Sequence, residues 1–289
     1  MKKTLSALLL GIVVTLTGCE LHENIDVSIK RKAIVHLVYH YDNGRQQTLD
    51  DVENIRLLIY DNRTGMLYRD TTLRREEFLR DTGAMQTYIS RGDYSFVSWA
   101  NIGSRTTFEA GNYATTRLET DEQGADELMY GVCSTPVVKG DSLHMDIHFF
   151  KSVFKINVRV TGLRELPYAE EHYFGIMNRT CLDMHNRPTD EMRRLCPALT
   201  YEQGVLSGSF YTPFFTPDTP LTVGVYCDNP ACGYTTLYET DIQEFADYAE
   251  KMLGRDVEIN VDIAIHSSGT TIRVSDWEGR IIQDQQFGI

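Results

Sequence analysis

The sequence has no apolar run long enough to cross a bilayer, for which about 20 residues are needed. Its longest, Leu5 to Leu16, is interrupted by Ser6, Gly11 and Thr15. No two glycines stand two apart, which excludes a G-x-G dinucleotide loop. There is no phosphate-binding G-K-[ST], no H-E-x-x-H, no G-x-S-x-G and no C-x-x-C. Catalytic groups assembled only in space would leave no such mark, but nothing in the chain points to an enzyme or to a small-molecule substrate. Positive charge is scarce: Lys and Arg number 28 against 41 Asp and Glu, a net charge of −13. A nucleic-acid partner needs a basic footprint, so none is expected. Six cysteines in 289 residues are too few for a small disulfide scaffold. What is abundant is hydrophobic and aromatic: 42% hydrophobic residues, with 16 Tyr and 12 Phe. That excludes disorder, and the length suits one large domain or two ordinary ones.

The first residues read as an address. Lys2 and Lys3 precede the short apolar run, the pattern of an export signal. It ends in Leu16-Thr17-Gly18-Cys19, which resembles the bacterial lipobox, in which the cysteine is acylated and becomes the first mature residue. An ordinary signal peptide with a chance cysteine is the alternative; Leu at −3 and Gly at −1 speak against it. Residues 1–18 are then a lipoprotein signal peptide and 19–32 a polar tether. Membrane attachment would rest on Cys19 alone, through two or more palmitate-like chains worth about 0.8 kcal/mol per buried CH₂. Removing Lys2 and Lys3 and no acid takes the mature charge to −15.

Beyond the tether, strands dominate. Ala33, Val35, Leu37, Tyr39 and Tyr41 alternate with His36 and His40, a half-buried strand. Ile55–Tyr60 is a more buried one, stopped by Asp61-Asn-Arg-Thr-Gly65, with Met66–Tyr68 as a hairpin return. The polar, Thr-rich stretch 101–126 reads as a long loop. In 143–149 the apolar residues Leu143, Met145, Ile147 and Phe149 are odd-numbered; in 154–160 Phe154, Ile156, Val158 and Val160 are even-numbered. A single strand cannot keep one buried face through that slip, but two strands serving different sheets can. The boundary is placed there, giving an N-terminal domain 33–151 and a C-terminal domain 152–289. One helix is expected over Ile242–Leu253, N-capped by Asp241 and closed at Gly254. The expected fold is mainly β, two β-sandwiches in tandem with one or two short helices.

Candidate chemistry is thin. His36/His40 and His144/His148 are four apart, but on a strand that spans about 13 Å, so they read as surface histidines and no metal or cofactor is expected. Asp256, Glu258 and Asp262 share a strand face and read as solvated rather than as a calcium site. Of the five cysteines after Cys19, at most two pairs can form. Cys227 and Cys232 flank a turn sequence, Cys181 and Cys196 flank a polar loop, and pairings 181–227 or 181–232 stay open; Cys133 reads as a buried free thiol. Trp99 and Trp277 read as core. The tail offers Ile281, Ile282, Phe287 and Ile289 as anchors of a possible donor strand, or simply closes the last hairpin.

Several features recur in order. After lipobox Cys19 come Ile59-Tyr-Asp-Asn-Arg-Thr-Gly65, Tyr94-Ser-Phe-Val-Ser-Trp-Ala-Asn101, Leu128-Met-Tyr-Gly131, the strand from Phe154 to Leu163, and Val274-Ser-Asp-Trp277. Their order and spacing resemble the FimB/Mfa-type fimbrillin-associated lipoproteins of Bacteroidales over nearly the whole chain; Ser275 departs from the more usual Asn. The resemblance implies two transthyretin-like β-sandwich domains and a cell-surface lipoprotein held by the outer membrane. It further implies a non-enzymatic anchor or cap for a type V fimbria, whose protein partner is the shaft subunit, met by strand addition. Residues 20–45 would then stay uncut despite Arg31 and Arg45. The competing expectation is a surface glycan-binding lipoprotein of a nutrient-uptake system, with Tyr201, Tyr211, Phe214, Phe215 and Tyr234 as an aromatic platform.

Overall fold

The computed structural model describes residues 31–40, 46–47, 51–80, 84–90, 92–109, 111–133, 137–139, 142–189, 191–252, 257–276 and 278–288. The fold is mainly β with two short helices, Arg75–Arg80 and Gln243–Glu250.

Nine strands between Arg31 and Lys151 form one sheet. It runs from Leu67–Arg74 through Asn54–Asp61, Tyr94–Ala100, Met129–Cys133 and Ser142–Lys151 to Arg31–His40, which also pairs with Ala84–Ile89 and Gln46–Gln47; Val137–Lys139 pairs with Ser142–Lys151. Its two ends meet through side chains. The Tyr68 hydroxyl lies 3.3 Å from Ser90 Oγ, and the Arg69 guanidinium donates to Thr87. The sheet therefore curls around its own core of Ala33, Val35, Ile55, Leu57, Phe78 and Phe149. The turn at Asp61–Gly65 works as its residues suggest: Asp61 Oδ1 accepts from the Arg63 amide at 2.8 Å, and Gly65 takes φ +69°.

Only Ser152 separates Ser142–Lys151 from Val153–Thr161, yet the two strands belong to different sheets. Met145, Ile147 and Phe149 face the first core; Phe154, Ile156, Val158 and Val160 face another. That second core lies between a six-stranded and a four-stranded sheet, a sandwich. The six strands run Thr200–Glu202, Val205–Pro213, Val153–Thr161, Glu258–His266, Gly269–Asp276, Ile281–Gly288; the four run Met192–Leu195, His172–Arg179, Thr222–Cys227, Thr236–Asp241. The helix Gln243–Glu250 buries Phe245 and Ala246 against this core, with the Gln243 amide capped by Asp241 Oδ1. Leu253 and Gly254 lie outside the described residues.

The stretch 101–126 differs from the expected loop. Thr106–Glu109 and Arg117–Thr120 are strands, and Arg117–Thr120 pairs with Cys181–Asp183 from the other half of the chain. The pattern was invisible locally because the partner is remote and the strands are four residues long. This small sheet covers a third core that both halves share: Leu58, Tyr60, Val97 and Trp99 with Val153, Leu182 and Met184. Asn54–Asp61 is thereby buried on both faces, which explains its nearly unbroken apolar sequence.

Candidate assembly and linkage sites

Cys19 and the tether lie outside the described residues. The first described strand, Arg31–His40, is held inside its sheet. It pairs in parallel with Ser142–Lys151 and antiparallel with Ala84–Ile89, and Ala33 and Val35 are fully buried. A parallel pairing of this kind joins segments more than a hundred residues apart in sequence. On the opposite face the rings of His36 and His144 stack across these two strands at 6.0 Å. The stack runs between strands, not along either one.

The tail residues occupy the strand Ile281–Gly288 at the end of the six-stranded sheet. Ile281 is exposed, Ile282 packs on the core, and the Phe287 ring lies 5.2 Å from that of Tyr238 in the facing sheet. Ile289 is outside the described residues. Gln283 is buried and donates to the Asp241 carbonyl at 3.1 Å, and Thr240 donates to Gln285 at 3.2 Å. These bonds tie the strand to Thr236–Asp241, so the tail completes its own sandwich in this structure. Beside it is a polar groove of about 500 Å³ lined by Asp241, Gln243, Glu244, Gln286 and Phe287. The hairpin that delivers the strand is locked by Asp276, fully buried. Its Oδ1 accepts from the Arg280 amide at 2.9 Å, its Oδ2 from the Arg280 guanidinium at 2.7 Å and from the Tyr248 hydroxyl at 3.1 Å. Burial acts to raise the Asp276 pKa, but these donors outweigh it and hold the carboxyl below its ordinary value. Trp277, next in sequence, lies outside the described residues.

Cys227 and Cys232 form a disulfide around the single 3₁₀ turn Pro230–Cys232, which Asn229 caps through Oδ1. Cys181 and Cys196 do not pair with each other or with that bridge, a correction to the expected Cys181–Cys196 link. Their backbones are committed elsewhere: Cys181 pairs across strands with Glu119, and the Cys196 amide donates to the Glu122 carbonyl at 2.6 Å. The Cys181 thiol donates to Glu191 Oε2 at 3.3 Å; burial, then this carboxylate, pushes its pKa up to about 11. Burial and nearby Asp146 likewise push the half-buried Cys133 thiol up to about 11. Protonated at neutral pH, both are poor nucleophiles. Glu119, Cys181 and Glu191 cluster closely enough to suggest a cation, but Arg193 already bridges the two carboxylates and Arg117 pairs with Glu191.

Other expected positions resolve simply. Glu258 is engaged by Lys155 at 2.8 Å, Asp262 is exposed, and Asp256 lies outside the described residues. Trp99 is fully buried against Tyr130, ring centroids 5.0 Å apart. The aromatic platform does not assemble: Phe214 and Phe215 are core residues, Tyr201 and Tyr211 pack on two different cores, and Tyr234 is bonded to His172.

The sequence matches the profile of the fimbrillin-A associated anchor proteins Mfa1 and Mfa2 over residues 17–283. No curated protein matches it in sequence. Among solved structures, the fimbrial anchor protein Mfa2 from Porphyromonas gingivalis is similar with a TM-score of 0.65 at 13% identity, covering 89% of this chain and 100% of that one. A Bacteroides thetaiotaomicron protein proposed to bind polysaccharide gives 0.65 at 11% identity, with 86% and 100% covered. A proposed adhesin from the same organism gives 0.61 at 14%, with 87% and 98% covered. At these identities the likeness is one of fold.

Proposed function

The chain belongs to the family of fimbrillin-A associated anchor proteins Mfa1 and Mfa2, structural and fimbria-associated rather than enzymatic, and from that premise we propose that it anchors or caps a fimbria at the outer membrane. The observation that carries this reading is the family match over residues 17–283, which takes in Cys19. Acylated Cys19 holds the protein in the membrane, and residues 20–30 link it to the strand Arg31–His40, in which Arg31 and Lys32, expected as the end of the tether, are paired. The lipid and the folded body stay joined only if the chain remains whole between them. A cut after Arg45 would free the strand Arg31–His40, which is bonded on both sides within its sheet. Residues 20–45 are therefore kept.

Contact with the shaft subunit is by strand addition at a sheet edge. Ile281–Gly288 ends the six-stranded sheet, paired on one side to Gly269–Asp276 and, among the described residues, to no strand on the other. The tail strand itself stays in its own fold. The glycan-binding reading finds no support in the aromatic residues that suggested it. Mass spectrometry of the protein from outer membranes tests the anchor directly: an N-terminal acylated Cys19 is expected. A chain beginning after Arg31 or Arg45, without lipid, would overturn it.

A further inference from the structure

The Cys227–Cys232 bridge sits beside an imidazole. A ring nitrogen of His172 and the two sulfurs lie within 4.8 Å of one another, and all three residues are buried. The arrangement is built, not incidental. His172 and Cys227 are register partners on adjacent strands, and the Asn229-capped 3₁₀ turn returns Cys232 to the same point. His172 is held on both sides, Nδ1 with the Tyr168 carbonyl at 3.1 Å and Nε2 with the Tyr234 hydroxyl at 2.9 Å. Whichever nitrogen were used as a ligand, the other would keep an oriented hydrogen bond, the support that metal-binding histidines require.

We propose that, once the disulfide is reduced, Cys227, Cys232 and His172 form a binding site for a zinc-class ion. Two thiolates and one imidazole are the donor set that tetrahedral zinc takes, with a fourth position left to water. Two sulfurs bound to one zinc at about 2.3 Å stand roughly 3.8 Å apart. The Cα atoms here are 6.8 Å apart, at the wide end of what a disulfide spans. Little backbone movement is needed to open the bridge to that separation. The chemistry balances. A dithiol reductant gives two electrons and two protons to the disulfide, leaving two cysteine thiols and its own disulfide. The ion then takes both sulfurs as thiolates and one imidazole lone pair, and two protons pass to solvent. The turn over the buried bridge lies at the surface, with Asp228, Pro230, Ala231 and Gly233 all exposed. The site makes the loop 227–235 closable in two ways, by a covalent bridge when oxidised and by an ion when reduced. The bridge ties Cys227 to Cys232 alone, whereas the ion would also tie His172 to the end of the strand Thr222–Cys227.

The test is titration of the intact protein with Co²⁺ alone, before and after reduction by a phosphine. The reduced protein should bind a single ion, with thiolate-to-cobalt charge-transfer absorption that Zn²⁺ abolishes; the oxidised protein should show none. Cys227→Ser/Cys232→Ser should lose the absorption, Cys196→Ser should keep it, and His172→Gln should weaken binding by at least about tenfold. Independently of whether the double variant folds, Zn²⁺ should protect Cys227 and Cys232 of the reduced wild-type protein from iodoacetamide while leaving Cys196 unprotected. Absence of the bands in reduced protein, equal binding by oxidised protein, or alkylation unaffected by Zn²⁺ would overturn the proposal.

Discussion

At the residue scale, buried side chains differ in what they ask of their surroundings. The indole of Trp99 is fully buried, and its Nε1 has no hydrogen-bond partner among the described residues. Its contribution is packing, so Trp99→Ala should cost about 3–5 kcal/mol, and Trp99→Phe clearly less, as read from urea unfolding. Asp276 is the opposite case, a buried charge that persists because three donors converge on it. Its folded pKa lies below the unfolded value, so the unfolded chain binds the proton more readily. The stability it supplies is present above the ordinary carboxylate range and is lost as pH falls through the folded pKa. Urea midpoints of the wild type should therefore fall between about pH 6 and pH 3, and Asp276→Asn should show a smaller fall from a lower starting point. An equal fall in both would remove Asp276 from the account. The short motif Val274-Ser-Asp-Trp277 was legible as a motif; its work as a hairpin lock was not, since Arg280 and Tyr248 are drawn in only by folding.

At the element scale, the strand Ile281–Gly288 closes the six-stranded sheet, and its Gln283 side chain reaches the carbonyl of Asp241 across to the facing sheet. Ending the chain after Arg280 should expose Ile272 and Val274 along a new edge. Loss of stability and aggregation are expected, measured by thermal melts and light scattering. A truncated chain as stable as the whole would mean that the tail is free for another sheet. Period-two alternation made the strands at 143–149, 154–160 and 257–265 readable, because each has one buried and one wet face. The slip between Phe150 and Ser152 was readable for the same reason. Thr106–Glu109 and Arg117–Thr120 escaped because short strands with polar residues carry almost no periodicity, and what makes them strands is Cys181–Asp183. The sequence leaves a Cys181–Cys196 link open because the polar loop between them says nothing of where each backbone is bonded.

At the scale of the whole molecule, the halves before and after Ser152 share a core and a sheet. The ion pairs at that junction, Arg117–Glu191 and Arg193–Glu119, are partly exposed and screened by solvent. The apolar contacts matter more. Leu182→Ala should cost about 2–5 kcal/mol, while Glu191→Gln should change little. With the core shared, calorimetry should show one unfolding transition, and Leu182→Ala should begin to split it into two. A wild type with two well-separated transitions would contradict the shared core. Such a body would suit the proposed role between membrane and fimbria, since Ser152 alone separates the two strands that join its halves.

The most direct test of that role is isolation of outer membranes from the native bacterium carrying either the wild-type protein or Cys19→Ser, followed by affinity capture of the protein. The account predicts that the wild type stays with the membrane and brings fimbrial shaft down with it, while Cys19→Ser is released in soluble form with its fold intact. A wild-type protein that captures no shaft, or a Cys19→Ser protein that remains in the membrane as before, would contradict it.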